Sequence, residues 1–346
     1  MSDVRAVVTR DKPRFLAIVG PTTTGKTDLS LAIAEELPIE IVSMDSRQVY
    51  RGMDIGTDKV THARRHTVPH HGLDLVEPDE RYSAGQYARA ARRWIEEIEA
   101  RGSLPVLVGG TGFFLRAVMD PIFTEPELPT ARLRALREYL RTRDLEELGR
   151  FVRALDPERA ELAVQGGPQR MSRTIEVALL SGIRLSDWHR IAEPDGDGVP
   201  GVVVVLDLPR EELDRRINER VTRMVERGLV DEVKGLVDAG FADTDPGMSG
   251  TGYREMTAYL RDERDLEEAI DEIRRNTRRY ARRQLTWFRN QLPEQTPWID
   301  ASWPITEQVS VVLRELQAVG LADPDHPKFL NTFELEAGAD TSRSTT

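Results

Sequence analysis

The 346 residues include no cysteine. That absence excludes a disulfide framework, a thiolate zinc site and a cysteine nucleophile, and makes a cytosolic compartment, the cytoplasm, the default expectation. Long hydrophobic runs are missing as well. The longest, Val199 to Leu208, is interrupted by Pro200 and Asp207, whereas a membrane helix needs about 18 or more apolar residues in a row. No membrane partner is therefore expected. Met1 to Arg14 is polar and charged, without the apolar core of a signal peptide. No internal repeat is visible. A hydrophobic content of 39% with 31% charged residues suits a soluble globular protein, long enough for one large domain or two smaller ones. Nothing in the pattern signals a dimer, so a monomer is the default.

The net charge of −11 argues on its face against nucleic acid. The charge is unevenly placed, however. Between Ile273 and Asn290 stand seven arginines and no acid: Arg274, Arg275, Arg278, Arg279, Arg282, Arg283 and Arg289. Bulk charge governs solubility, while a local patch governs phosphate affinity. The series Arg274, Arg278, Arg282 and Arg275, Arg279, Arg283 each follow an i, i+4 spacing and together cover one broad helical face. Glu267, Glu268, Asp271 and Glu272 precede them at the helix start, where the dipole favours acids. Such a face could be solvated and paired to acids of other elements. Arginine unrelieved by lysine favours the alternative, a planar donor that grips phosphate bidentately.

Alternating strands and helices run from about Phe15 to Pro121. Strands are expected at Phe15–Val19, Ile39–Ser43 and Pro105–Val108, with helices at Lys26–Leu37 and Ser83–Ala100. This order implies a parallel sheet flanked by helices. From about Thr124 to Pro200 the pattern is helical only, at Leu128–Arg141, Asp144–Leu155, Pro157–Ala163 and Gln169–Ser181. Val202–Asp207 then reads as a buried strand that rejoins the first sheet. Helices follow at Arg210–Arg227, Val230–Ala239, Tyr253–Arg261 and Leu266–Asn290. The fold class is thus α/β, a P-loop NTPase-like parallel sheet with an inserted helical domain. The core spans 14–123 and 201–321, the insertion 124–200, and residues 1–13 and 322–346 are expected to be disordered.

Gly20-Pro21-Thr22-Thr23-Thr24-Gly25-Lys26-Thr27 fits G-x-x-x-x-G-K-[ST] at every fixed position. It stands between an apolar strand and a helix, the context that makes the pattern a site. Backbone N–H groups of such a loop, with the helix N-terminus behind them, surround phosphate oxygens. Lys26 would reach the outer phosphates, and the Thr27 hydroxyl would ligate a bridging Mg²⁺. Asp45 sits at the carboxyl end of the second strand, where open α/β sheets bind ligands. There it could ligate a metal through water, act as a general base, or merely cap a turn. Gly109-Gly110-Thr111-Gly112 follows the third strand, and either close backbone approach to a ligand or a tight turn accounts for it. No acid ends that strand, so the usual Mg²⁺-organising group of an ATPase is missing. His66, His70 and His71 have a spacing that could suggest metal, but adjacent histidines rarely share one ion and no matching carboxylate accompanies them.

These motifs fall into one order. Asp45-Ser46-Arg47-Gln48-Val49-Tyr50 and Gly52-Met53-Asp54-Ile55-Gly56-Thr57 follow the phosphate loop. Pro69-His70-His71, Asp74, Tyr82-Ser83-Ala84, Gly109 to Gly112, Gln169-Arg170 and Gly252-Tyr253-Arg254-Glu255 come next, and Thr277 to Phe288 closes the set. Over about Phe15 to Asp300 the chain resembles the bacterial tRNA dimethylallyltransferase family, isopentenyl transferases that prenylate adenosine 37 beside the anticodon. The resemblance implies dimethylallyl diphosphate as donor and N6 of that adenosine as acceptor, in tRNAs reading codons that begin with U. It implies catalytic roles for Asp45 as proton acceptor, for Thr111 beside the bridging oxygen and for Lys26. Gly20 to Thr27 and Arg220 would hold the diphosphate, with Mg²⁺ on Thr27. By the same resemblance Asp45, Ser46, Arg47, Gln48, Gln169, Arg170, Met171, Ser172, Arg173, Gly252, Tyr253 and Arg254 would meet the anticodon stem-loop, and Arg278 and Arg282 its backbone phosphates. Two positions depart from the family pattern. Phe113-Phe114 stands where Leu-Tyr is common, and Met248-Ser249-Gly250-Thr251 precedes Gly252. Two other functions compete: a P-loop small-molecule kinase with a helical lid, and a non-enzymatic RNA-binding module with a vestigial loop.

Overall fold

The computed structural model describes residues 12–123, 126–194 and 196–322. Of the termini expected to be disordered, all but Lys12, Pro13 and Ala322 lie outside the described residues, and Ala322 is buried in the core. Two compact units form, one from the described residues up to Asp120 and from Gly198 onward, the other from Pro121–Asp197.

The first unit begins with β1 (Phe15–Val19), α1 (Lys26–Ala34), β2 (Ile39–Ser43), the short α2 (His62–Thr67) and β3 (His70–His71). α3 (Ala84–Ala100), β4 (Leu104–Gly109) and α4 (Gly112–Met119) follow. α3 starts sharply because Ser83 and Gln86 cap each other, Gln86 N–H to Ser83 Oγ at 3.2 Å and Ser83 N–H to Gln86 Oε1 at 2.9 Å. In the second unit stand α5 (Thr130–Arg141), α6 (Leu145–Leu155), α7 (Ala160–Gln165), α8 (Pro168–Ser181) and α9 (Leu185–Ile191). Leu140, Leu148, Val152, Met171 and Ile175 form its core. The buried Glu176 there is clamped by Arg137 at 2.7 and 2.9 Å. The chain then returns to the first unit through β5 (Gly201–Asp207), α10 (Arg210–Glu226), α11 (Leu229–Asp238), α12 (Tyr253–Leu260), α13 (Leu266–Gln291), β6 (Trp298–Asp300) and α14 (Ile305–Ala318).

The six strands are all parallel in the order β3-β2-β4-β1-β5-β6. Each of β1, β2 and β4 is buried along its whole length, which is why they read as apolar runs rather than alternations. Glu40 is the exception inside β2. Arg101 binds it at 2.8 and 2.8 Å and His71 Nε2 at 2.7 Å, and the Arg101 guanidinium beside it holds its carboxyl below the usual range. His70 and His71 thus build an edge strand where the sequence suggests a loop. The chain runs from β1 to β2 on one side and reaches β5 on the other, so the crevice falls at the carboxyl end of β1. α2, α4, α9, β6 and α14 are not predicted from the sequence. Of these α14 contributes Val309, Val312 and Leu316 to the main core. No described helix is long and apolar enough to cross a membrane.

Candidate active site

At the end of β1 the backbone turns at Gly20, with φ +143° and a hypothetical Cβ only 2.3 Å from the Leu206 carbonyl oxygen. Nothing larger fits. Thr23 holds φ +69°, a left-handed conformation uncommon for a β-branched residue and found where function fixes the backbone. Thr24 Oγ1 donates to the Pro21 carbonyl at 2.9 Å, and Lys26 Nζ donates to the same oxygen at 2.5 Å. The Thr27 hydroxyl makes no hydrogen bond to a described residue and faces a cavity of about 980 Å³. That cavity also takes in Lys26, Asp45, Asp58, Arg220 and Gly110.

The electrostatics are those of an anion site. Burial of the Lys26 ammonium lowers its pKa to about 7; Asp45 opposes the shift and Arg220 adds to it. Arg220, on α10, sets Nη1 against Thr22 Oγ1 and Nε 3.4 Å from Asp58 Oδ2. Asp58 is also met by Arg227 Nη1 at 3.3 Å. Two cations from distant parts of the sequence thus converge beside the loop.

Asp45 arrives on the turn after β2. Met44 N–H donates to the Val108 carbonyl at 2.8 Å, Thr111 N–H returns a bond to the Met44 carbonyl at 3.3 Å, and Ser46 N–H donates to Thr111 Oγ1 at 3.0 Å. Arg47 N–H holds Asp45 Oδ1 at 2.8 Å. The two turns are therefore knitted together, and Asp45 and Thr111 meet in one place. Burial and the neighbouring Asp45 push the Tyr280 phenol up to about 12, against a hydrogen bond with Thr111. The sequence leaves the glycines between ligand approach and tight turn. The structure gives their space to protein: a Cβ at Gly109 would meet the Met44 carbonyl oxygen at 1.9 Å, at Gly110 the Gln284 amide at 2.0 Å, and at Gly112 the Trp287 ring at 2.1 Å. Phe114 is buried and stacks on Tyr87 with ring centroids 4.2 Å apart, whereas Phe113 is 52% exposed.

Several residues expected at a tRNA surface point inward. Met171 is 2% exposed within the core of the second unit, and Tyr253 is 1% exposed with its hydroxyl on Glu232 at 2.6 Å. Neither side chain is available as drawn from the sequence; both fill cores. Gln48 is spent between the Ser43 hydroxyl at 2.8 Å and the Thr57 carbonyl at 3.2 Å, and Arg47 Nη1 on the Pro246 carbonyl at 2.8 Å. Gly252 takes φ +100° and gives its N–H to Glu255 at 2.7 Å, while the exposed Arg254 reaches Glu255 at 2.9 Å. In the second unit Gln169 and Arg170 are exposed on the first turn of α8, Ser172 is half-buried, and Arg173 lies 3.7 Å from Glu176.

The arginine helix is divided. Arg274 donates to Thr222 at 3.0 Å, Arg278 to Asn218 at 2.6 Å, and Arg282 lies 3.4 Å from Asp214, all on α10. Arg279 and Arg283 line the cavity and form no ion pair with a described residue; Arg283 lies 5.9 Å over the Tyr280 ring. Arg275 sits among Glu267, Glu268 and Asp271.

Three residues to which the sequence assigns no role organise the site, two of them, Glu255 and Gln284, inside the quoted motifs. Glu232 collects the N–H groups of Asp54, Ile55 and Gly56 at 2.9, 2.6 and 3.0 Å. Glu255 caps α12 and binds Asn276 at 2.8 Å. Gln284 joins the phosphate loop to Gly110. The available signal was weak: a polar residue at a helical spacing that otherwise marks the buried face. Among the described residues no cluster of three or more His, Asp or Glu could hold a metal ion.

A parallel sheet with this strand order, a phosphate loop after β1 and a carboxylate after β2 defines a P-loop α/β protein. The family model described as IPP transferase matches residues 48–291, and one described as isopentenyl transferase matches residues 13–68. The chain belongs to the IPP transferase family. It is 40% identical over 304 residues to a tRNA dimethylallyltransferase of Geobacillus thermodenitrificans, covering 88% of this chain and 95% of that one. To the tRNA dimethylallyltransferase of Thermomicrobium roseum it is 42% identical over 309 residues, with 87% and 92% covered. Among solved structures, the tRNA isopentenylpyrophosphate transferase of Bacillus halodurans matches with a TM-score of 0.65 at 36% identity, covering 89% of this chain and 98% of that chain.

Proposed function

We propose that this chain transfers the dimethylallyl group of dimethylallyl diphosphate to N6 of adenosine 37 in tRNAs reading codons that begin with U, giving N6-isopentenyladenosine. The observation that carries the reading is the single cavity in which the phosphate loop, Arg220, Asp45 and the unpaired Arg279 and Arg283 all meet. Donor diphosphate fits the loop end, and a nucleic-acid backbone fits the arginine end. The relatives are named tRNA dimethylallyltransferases, which supports the reading.

In the reaction the bond from the donor's first carbon to the bridging oxygen breaks and a bond to adenine N6 forms. Diphosphate leaves with both electrons of the broken bond. Lys26, Arg220 and the loop amides stabilise that developing charge. The exocyclic amine is too weak an acid to ionise first, so its proton passes to Asp45 as N6 bonds to carbon. Arg47 N–H on Oδ1 fixes the carboxylate and leaves Oδ2 for that proton. Thr111, which accepts from the Ser46 N–H, is the hydroxyl proposed to meet the bridging oxygen. Adenosine must leave its stack to enter the cavity. Mg²⁺ fits this site, since the Thr27 hydroxyl is unpartnered and such an ion takes its other ligands from substrate phosphates and water. When bound it would neutralise charge on the diphosphate. The proposed partners are thus the donor and the anticodon stem-loop, met by the protein as a cytoplasmic monomer.

Incubation with Mg²⁺, labelled dimethylallyl diphosphate and an anticodon stem-loop tests the reading. Label is expected on adenine. ATP turnover on a small acceptor, with no label on RNA, would overturn it in favour of a kinase. The family relationship and the missing acid after β4 speak against that second reading.

A further inference from the structure

α13 works on two adjoining faces. One presents Arg279 and Arg283 to the cavity. The other turns Tyr280, Gln284 and Trp287, spaced i, i+4 and i+7, onto the turns around the donor site. Trp287 covers Gly112, and Tyr280 lies beside Thr111. Gln284 reaches further than either. Its buried amide accepts from the Thr22 N–H at 3.1 Å and donates to the Gly110 carbonyl at 2.8 Å. One side chain therefore ties the loop after β1 to the loop after β4.

This orientation is unique. Reversing the amide would face Nε2 to the Thr22 N–H and Oε1 to the Gly110 carbonyl, donor against donor and acceptor against acceptor. Leucine at this place would leave both backbone groups unpaired in a buried setting. The Thr22 N–H is also withdrawn from the phosphate, because Gln284 already occupies it. So α13 determines which amides of the loop are offered to an anion, and how the first half of the loop is set.

We propose that Gln284 is a positioning residue that couples the two substrates. Phosphates held by Arg279 and Arg283 fix α13, α13 fixes Thr22 and Gly110 through Gln284, and the diphosphate then binds a loop already in place. This rests on the functional reading above. Coupling of this kind is reciprocal: each substrate tightens the other by the same factor.

The test uses inorganic diphosphate with Mg²⁺, which cannot react, and calorimetric Kd values with and without a saturating anticodon stem-loop. For the unaltered protein the stem-loop is expected to tighten diphosphate about tenfold, within the usual range of such couplings. In Gln284→Leu that ratio should fall to about one, while the Kd for stem-loop alone stays within about twofold, since no arginine changes. Gln284→Asn, an amide too short to bridge the two loops, gives the same result and decides the matter should Gln284→Leu fail to fold. Variants that keep the tenfold ratio overturn the inference, as does an unaltered protein that binds both ligands without coupling. An unaltered protein that binds neither ligand overturns the functional reading itself.

Discussion

Two rows of arginine on α13 look alike in the sequence and differ in the structure. Arg274, Arg278 and Arg282 are turned to Thr222, Asn218 and Asp214 of α10. Arg279 and Arg283 face the cavity without an ion pair among the described residues. A guanidinium already engaged by a carboxylate or amide gains little from a phosphate, because it must give up one partner for another. One without an ion pair has less to give up. The lesson is that a basic helix is a count of charges until its neighbours are known. Here α10 takes one row for packing and leaves Arg279 and Arg283 of the other facing the cavity.

The comparison separates grip from chemistry, and the largest expected effect tests that separation. Asp45→Ala should lower turnover by about 10²- to 10⁴-fold, the usual yield of a general base, while stem-loop affinity holds. Filter binding on the same preparation checks the second half; loss of folding in this variant would mean that Asp45 is structural. Next in size, replacing Arg279 and Arg283 together by Ala should weaken stem-loop binding about 100-fold at low salt and flatten its salt dependence by roughly 1.5 log units per log of salt. Donor KM measured at saturating stem-loop should rise by no more than the coupling factor of about tenfold. A pH series cuts the same division from the donor side. The Lys26 ammonium, its pKa lowered to about 7, is protonated below that value and neutral above it in the substrate-free site. Donor kcat/KM should therefore fall about fivefold from pH 7 to pH 8, as the protonated fraction does. Stem-loop affinity should stay flat over that range. The smallest effect falls on the engaged row: Arg278→Ala should change stem-loop affinity less than threefold, yet cost about 1 kcal/mol in a denaturant melt through its lost bond to Asn218. If Arg278 proves as important for binding as Arg279 and Arg283, the distinction between the rows fails.

Much of the site was legible because its chemistry needs fixed letters. The phosphate loop, Asp45 and Thr111 are named by type and by position at strand ends, and sheet topology then brings those ends together. Helix periodicity likewise located α3, α6, α10 and α13 to within a residue or two. What escaped depends on tertiary neighbours. β6 has only three residues and α2 six, too short for any period to show. Tyr253 and Met171 belong to motifs that serve a surface and a core at once, and letters alone do not say which residues turn inward. Gln284 carries only the weak signal of a polar residue on a helix's buried face, since its partners lie 262 and 174 residues away in the chain.

Glu232 has a further consequence. Three consecutive amides at Asp54, Ile55 and Gly56 converge on its carboxylate, and the Tyr253 phenol closes the fourth side. Converging amides are what an anion seeks, so this turn, left empty, would itself be a berth for an anion. The protein has corked it with an acid of its own. The amides of the turn at Asp54, Ile55 and Gly56 are thereby satisfied from within, and the turn offers an anion no berth.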